Sequence, residues 1–411
     1  MTMDRIVEAD RIIVGPVGEV LDRAAVLVRG DRIAGVGPAD ELAMRCPGAE
    51  RLRFPGASIM PGLVNSHVHL AADLSREPFG TVRRSPRDEV LALVRANAQA
   101  CLRSGCTTVR DLGDAHGVVA EVRDQDRAVA SSPTPRILAA GAPLTISGGH
   151  CWFLGGIADT DAEIRAAIDA RTAASSDLIK VMAGGGQMTP GGPSEFESQY
   201  TVAQLRLIVE HAASHGLTVA AHAHGTATIL DCIEAGVATI EHCGWRSGPM
   251  QRDRPEEAVR RMAAQGTIAG DTTPPQWRRM VERITFPDGF RFGDQISWMT
   301  DHGVAHVIGT DSGMPNAVFD EFRTSLELYE ELGFDRARII ETATTGAARL
   351  LGLGASTGAV REGLDADLLV VDGNPLDNLD VLHRPSHVIV RGRGYSQTDL
   401  SPAGTATEPV A

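Results

Sequence analysis

Hydrophobic positions along this chain fall in short runs bounded by turn residues. Residues 3–60 read as strands and turns: RIVEADRIIVG, AAVLVRGDRIAGVG and RLRFPGASIMPG. Near the other end, ADLLVVDGNP (366–375) and SHVIVRGRG (386–394) have the same texture. Between them lie eight apolar, β-rich runs: GLVNSHVHL (62–70), TTVRDLGD (107–114), ILAAGAP (137–143), DLIKVMA (177–183), TVAAHAH (218–224), TIEHC (239–243), TIAGDTT (267–273) and AHVIGTDSG (305–313). Helical patterns such as RDEVLALVRANAQACLRSG and AEIRAAIDARTAAS separate most of them. Alternation of strand and helix predicts right-handed βαβ units and a parallel sheet. Eight such units over roughly 290 residues predict an α/β chain built on a (β/α)8 barrel. A doubly wound open sheet is the structural rival. No GxGxxG follows the first run, which weakens a dinucleotide-binding version of that rival. The tail YSQTDLSPAGTATEPVA (395–411) is small and polar and reads as mobile.

At 411 residues the chain can bury a large core and hold more than one domain. Its net charge of −14 argues against nucleic acid or an anionic membrane as partner. No apolar run reaches the length of a spanning helix, and MTMDRIVEADR lacks the apolar segment of a signal peptide. The six cysteines are scattered, with no CxxC pair, as expected for reduced thiols in a cytoplasmic protein.

In a barrel, chemistry sits at the carboxyl ends of the strands. Seven candidate metal or base groups fall there: His67 and His69, Lys180, His222 and His224, His242, and Asp311. His67 and His69 are two apart on a strand, so both imidazoles point to one face and can reach one metal. Alone, the pair is equally compatible with two structural histidines. His222 and His242 add nitrogen donors and Asp311 an oxygen. That donor set suits zinc, iron or manganese better than calcium or magnesium.

Lys180 is the single lysine among 39 basic residues. A surface ion pair does not require it, since arginine serves there equally well. One reading is chance survival in an arginine-biased composition. The other is a position that needs a neutral, reactive amine. Such an amine can take up carbon dioxide, and the resulting carbamate is an anionic ligand able to bridge two metals. A hydroxide shared between two metals is a nucleophile near neutral pH.

PGLVNSHVHL, the Lys180 strand, VAAHAHG, TIEHC and IGTDSG together resemble the amidohydrolase superfamily. GCTTVRDLGD, ISGGHC and ADLLVVDGNPLDN are similar to its imidazolonepropionase-like and prolidase-like branch. The resemblance covers nearly the whole chain. It implies a (β/α)8 barrel, here over 61–352, and a smaller β-sandwich from 1–60 and 355–395, while the polar composition leaves 396–411 as a mobile tail. It implies one metal on His67, His69 and Asp311, a second on His222 and His242, and a CO2-derived carbamate on Lys180 bridging them. Zinc is the foremost metal, with manganese, cobalt or iron as alternatives. Asp311 would also accept the proton of the attacking hydroxide and pass it to the leaving group. In the prolidase-like branch a histidine in a GGH segment contacts the substrate carbonyl, and that role carries over to His150. His224 faces the substrate in this pattern, although many relatives have tyrosine there, which leaves its role open.

The loops 71–89 and 184–199 are the longest at this rim, and the second is expected to lie over the metal site. Arginines 76, 83, 84 and 246 sit on rim loops and could grip a substrate carboxylate, or be solvated surface charges. Histidines 116, 211, 215, 302, 306, 383 and 387 receive no function. The leading reading is a binuclear hydrolase of an amide or peptide bond. Its substrate would be a dipeptide, an N-acyl amino acid, or a peptide natural-product precursor as in bottromycin-type follower removal. A mononuclear imidazolonepropionase-like enzyme or deaminase is the alternative, and a non-catalytic structural relative the third. A small-molecule or peptide substrate and a homo-oligomer are the expected partners.

Overall fold

The computed structural model describes residues 4–16, 18–129, 133–274, 276–287 and 289–401. Four strands come first: β1 (Arg5–Ile13), β2 (Val20–Arg29), β3 (Arg32–Gly37) and β4 (Glu50–Pro61). Then come β5 (Leu63–Val68), β6 (Cys106–Asp111), β7 (Arg136–Ala139), β8 (Ile179–Val181), β9 (Val219–Gly225), β10 (Thr239–Gly248), the two-residue β11 (Gln251–Arg252), β12 (Ile268–Thr272) and β13 (His306–Gly309). The chain closes with β14 (Leu368–Asp372), β15 (His387–Val390) and β16 (Arg393–Ser396).

The two ends of the chain share one seven-stranded sheet, in the order β16-β15-β14-β4-β1-β2-β3. The join is the antiparallel pairing of β14 with β4, where Leu368 faces Pro61 and Val370 faces Ile59. Alternation along the strands gives each face its own apolar core. Val7, Val26, Ile59, Leu368 and Val370 pack on one side. Ile6, Ala25 and Leu27 pack on the other, against Leu42 of the helix Ala39–Arg45. The expectation of a mobile tail over 396–411 falls outside the described residues from 402 on. Its first part is docked: Leu400 is buried, and its carbonyl accepts a hydrogen bond from Arg103.

The middle of the chain is α/β, with parallel strands and intervening helices. One sheet runs β13-β12-β10-β9-β8 and another β5-β6-β7. Each of the eight apolar runs overlaps one of these strands. The strands β5, β6 and β8 are buried at every position, as expected where both faces are covered. Isolated parallel bridges link the two sheets at both edges. Val68 bridges Ser312, with His69 N–H donating to the Ser312 carbonyl at 2.8 Å. Leu144 bridges Val181, with Met182 N–H donating to the Leu144 carbonyl at 2.8 Å. The helices Asp161–Ala173 and Val202–Ser214 each start in a capping box, on Thr160 with Glu163 and on Thr201 with Gln204. The strand β10 runs past TIEHC into a short hairpin with β11, which the apolar pattern did not indicate.

Candidate active site

All eight residues singled out from the sequence line one cavity of about 300 Å³: His67, His69, His150, Lys180, His222, His224, His242 and Asp311. They arrive from separate elements. His67 is on β5 and His69 just beyond it, Lys180 is on β8, His222 and His224 on β9, and His242 on β10. Asp311 follows β13, and its N–H is anchored on the His67 carbonyl at 2.9 Å. Its Oδ1 stands 3.4 Å from His67 Nε2 and 3.3 Å from His69 Nε2.

The backbone departs from ordinary geometry where these groups meet. Positive φ occurs at His242 (67°), Cys243 (43°), Trp245 (49°) and Asp311 (55°). Conformations of this kind cost non-glycine residues free energy and cluster at functional sites. The register of β10 on β9 also shifts between His242 and Arg246, and such a shift re-aims side chains at a strand's end.

Four imidazoles share one arrangement. Each has one nitrogen tied to the surrounding protein, and the second nitrogens of His67 and His69 face Asp311 Oδ1. His67 Nδ1 bonds Glu241 Oε2 at 2.9 Å, and His69 Nδ1 bonds the Gly113 carbonyl at 3.1 Å. His242 Nδ1 bonds Thr272 Oγ1 at 2.7 Å. His222 uses the opposite nitrogen, with Nε2 on the Gly185 carbonyl at 3.2 Å. Outer partners of this kind fix the tautomer and orientation of a metal-binding imidazole. The donors also lie close together. Ligand atoms of His67, His242 and Asp311 are within 4.8 Å of one another, as are those of His222, His224 and His242. His224 thus joins a possible ligand triad, whereas the sequence pattern set it toward substrate. A third such group, Asp169 with His211 and His215, lies on the outer helices away from the cavity.

Lys180 is 2% exposed, and no hydrogen bond or ion pair engages its amine among the described residues. Burial pushes that amine down to about 8, while Glu241 and Asp311 pull it back up. Burial also lowers His67 and His150 to about 4, with the charge of Lys180 second in each case. His224 falls to about 3, through burial and then Arg246. His222 and His242 lie well below the usual range, through burial and then a neighbouring imidazole. His69 is the exception: burial lowers it, but Asp311 outweighs burial and the net shift is upward. Burial pushes the Asp311 carboxyl up, and His67 and His69 overcome it, leaving Asp311 below the carboxylate range. Apart from His69, the cavity therefore offers neutral imidazoles beside an ionised carboxylate, the forms that coordinate metal.

His150 stacks on His222 with ring centroids 4.7 Å apart, and its Nδ1 is buried without a hydrogen-bond partner. The loop 184–199 meets both rings. A Cβ on Gly186 would stand 2.4 Å from His150 Cε1, so only glycine fits there. The GGG segment is thus a close approach of backbone to two histidines. Arg246 pairs with Glu195 of the same loop at 3.1 Å.

Sequence reasoning missed the layer behind the cavity imidazoles. Glu241 is fully buried. Besides His67 it accepts from Arg110 Nη2 at 2.8 Å and from Thr239 Oγ1 at 2.7 Å. Arg110, also buried, donates to the Ser66 carbonyl at 2.7 Å and to Thr239 Oγ1 at 3.2 Å. Asp111 accepts from Leu70 N–H at 2.6 Å and Gly113 N–H at 3.1 Å, which sets the turn whose carbonyl orients His69. The available signal was a charged residue inside an apolar run, in TIEHC and in TTVRDLGD.

Comparison with known proteins gives a consistent picture. A model of the Amidohydrolase family matches residues 58–394. An ochratoxinase of Aspergillus niger is 26% identical, over 94% of this chain and 86% of its own. An imidazolonepropionase of Salinispora arenicola is 24% identical, over 92% of each chain. The crystal structure of an Xaa-Pro dipeptidase with methionine bound in its active site superposes with a TM-score of 0.80 at 25% identity, over 96% of this chain and 100% of that one.

Proposed function

Since the chain belongs to the Amidohydrolase family, we propose that it is a binuclear metal-dependent hydrolase of an amide or peptide bond. The carrying observation is the shared arrangement of four imidazoles, each tied at one nitrogen, around Asp311 and an amine without a partner. His67, His69 and Asp311 would hold one metal and His222 and His242 the other, with carboxylated Lys180 between them. Zinc fits this donor set best, and manganese, cobalt or iron are compatible with it. The metals would supply water activated near neutral pH and polarise the scissile carbonyl.

The rest falls to the chain's own groups. The neutral Lys180 amine forms an N–C bond to carbon dioxide and loses one proton to solvent, which gives the carbamate. Asp311 takes a proton from the attacking water at Oδ1 and returns it to the leaving nitrogen. His150 donates a hydrogen bond to the carbonyl oxygen as negative charge grows there. His224 contacts the substrate. Glu241 and Asp111 hold the imidazoles of His67 and His69 in place.

On this reading the parallel strands form a closed eight-stranded barrel over 61–352, which the bridges at both sheet edges support. The sheet shared by 1–60 and 355–395 is the second domain. A dipeptide, an N-acyl amino acid or a peptide precursor is the substrate class. The relative that acts on Xaa-Pro dipeptides supports a small amide. Metal analysis tests the reading, together with turnover of dipeptide and N-acyl amino acid libraries by zinc- or manganese-loaded protein. Two equivalents of metal, with turnover lost to chelator and restored by metal, is the expected result. One equivalent would establish the mononuclear alternative, and none with no turnover the non-catalytic one.

A further inference from the structure

A second cavity, of about 460 Å³, adjoins the first and shares Phe79, Gln187 and Met188 with it. Its walls come from three rim segments: 76–83, the Trp152–Phe153 turn, and Gln187–Pro190 of the loop 184–199.

Aromatic rings line the way out of the metal cavity. His69 meets Phe79 edge to face at 5.6 Å between centroids, Phe79 meets Phe153 at 6.1 Å, and Phe153 meets Trp152 at 6.4 Å. Trp152 is 43% exposed, whereas Trp245, Trp277 and Trp298 are buried. An exposed large apolar surface continuous with a cavity marks a binding site more often than a stray side chain does.

Charge adds a second, independent observation. The protein is acidic, with 53 carboxylate residues against 39 basic ones. Two of its rim arginines are paired: Arg84 with Glu77 at 3.0 Å and Arg246 with Glu195 at 3.1 Å. Arg76 and Arg83 are not; neither reaches a carboxylate among the described residues, and both face the outer cavity. Arg83 instead lies over the Phe153 ring, 5.1 Å from its centroid. A guanidinium held on an aromatic face keeps its edge free for a bidentate carboxylate.

We propose that this outer cavity is a subsite for the far end of an extended substrate, an end that carries an aromatic ring and a carboxylate. The ring stacks along Phe153 and Trp152, and the carboxylate lies between Arg76 and Arg83. A substrate that fills both cavities is longer than a dipeptide. This rests on the proposed amide hydrolysis only for its use in turnover; binding is measured separately. The shared chemistry has two sources, the aromatic–acidic end of a peptide and a small aryl acid, and one probe of each kind distinguishes them.

The probes are N-acetyl-Phe-Asp-amide and 2-naphthoylglycine, each compared with its carboxamide form by titration calorimetry on metal-loaded protein. We expect at least one carboxylate to bind about ten-fold or more tightly than its carboxamide, a difference of ~1.4 kcal/mol. The probe that shows the gap identifies the source. Arg76→Gln with Arg83→Gln should narrow that gap to below about two-fold, and Trp152→Ala should weaken both forms alike. High salt should weaken only the carboxylate. Absence of a gap with both probes overturns the proposal, and so does a gap that persists in the double variant, because the carboxylate is then held elsewhere. A protein that shows the gap but hydrolyses nothing leaves the subsite standing and removes the hydrolase reading. Turnover without the gap does the reverse.

Discussion

Replacement of Glu241 by glutamine separates the cavity imidazoles from what holds them. The carboxylate is fully buried between His67 Nδ1 at 2.9 Å, Arg110 Nη2 at 2.8 Å and Thr239 Oγ1 at 2.7 Å. Glutamine keeps the shape and one acceptor but removes the charge. Arg110 then remains buried with neutral partners only. Breaking a buried pair by losing one charge costs about 3–5 kcal/mol, and glutamine, which still accepts a hydrogen bond, belongs at about 3. That is a large part of the ~5–15 kcal/mol of a typical domain. Urea unfolding of chelated protein at pH 7.5 reads it as a lower midpoint. A second consequence is looser metal. His67 loses its anionic partner, and losses of this kind reduce metal affinity by about 10–100-fold, which chelator competition measures. The pH dependence gives a further check. Burial raises the Glu241 carboxyl, but Arg110 and His67 outweigh burial, so its folded value lies below the ordinary one. A depressed carboxyl stabilises the fold above its unfolded value of about 4.3, and that contribution is lost as pH falls toward the folded value. Wild type and Glu241→Gln should therefore differ fully at pH 6–8 and converge below about pH 4. A variant with wild-type midpoint and wild-type metal retention would refute this account of both Arg110 and His67.

Lys180→Arg keeps the charge and most of the volume but cannot form a carbamate; it should abolish turnover and lower metal content, and the wild-type carbamate signal in labelled-carbon-dioxide NMR should vanish with it. Full activity in that variant would mean that the single lysine survived by chance. His150→Asn should lower kcat by about 10²–10³-fold with metal content unchanged, since a polarising group acts on developing charge; loss of metal would make it a ligand instead. Gly186→Ala places a methyl within 2.4 Å of the His150 ring and should reproduce the kcat loss without touching His150 itself. Thr201→Ala removes the cap that accepts Gln204 N–H at 3.2 Å and should cost about 1 kcal/mol of stability while metal retention stays at the wild-type level.

Different parts of this molecule were legible to different depths. The parallel strands could be read because each sits in a short, largely apolar run between helical stretches, and even the three-residue β8 stood out through DLIKVMA. The shared texture of the two ends pointed to one unit, and the ladder of β14 on β4 is where that unit is joined. The cavity groups could be read because histidine, lysine and aspartate at strand ends are unusual wherever a packed core is the only demand. Glu241 could not be read in the same way. Its neighbour His242 claimed the motif, and its meaning depends on Arg110, 131 positions away in sequence. Nor did any residue pattern announce the hairpin of β11 or the ring contacts of Gly186, since both follow from how distant loops meet.

The pairing of β14 with β4 has a consequence for the chain as it is made. Strand β4 leaves the ribosome roughly 300 residues before its β14 neighbour. At ~5–20 residues per second that interval is about 15–60 s. Throughout it, the apolar stretch Ala57–Pro61 presents an unpaired edge, a template for pairing with other nascent chains. The last tenth of the sequence therefore decides the fate of β4, near its start. A translation stop between residues 311 and 368 leaves a polypeptide that carries all the cavity groups and an uncovered edge, and such fragments should partition to the insoluble fraction while the full-length product stays in solution.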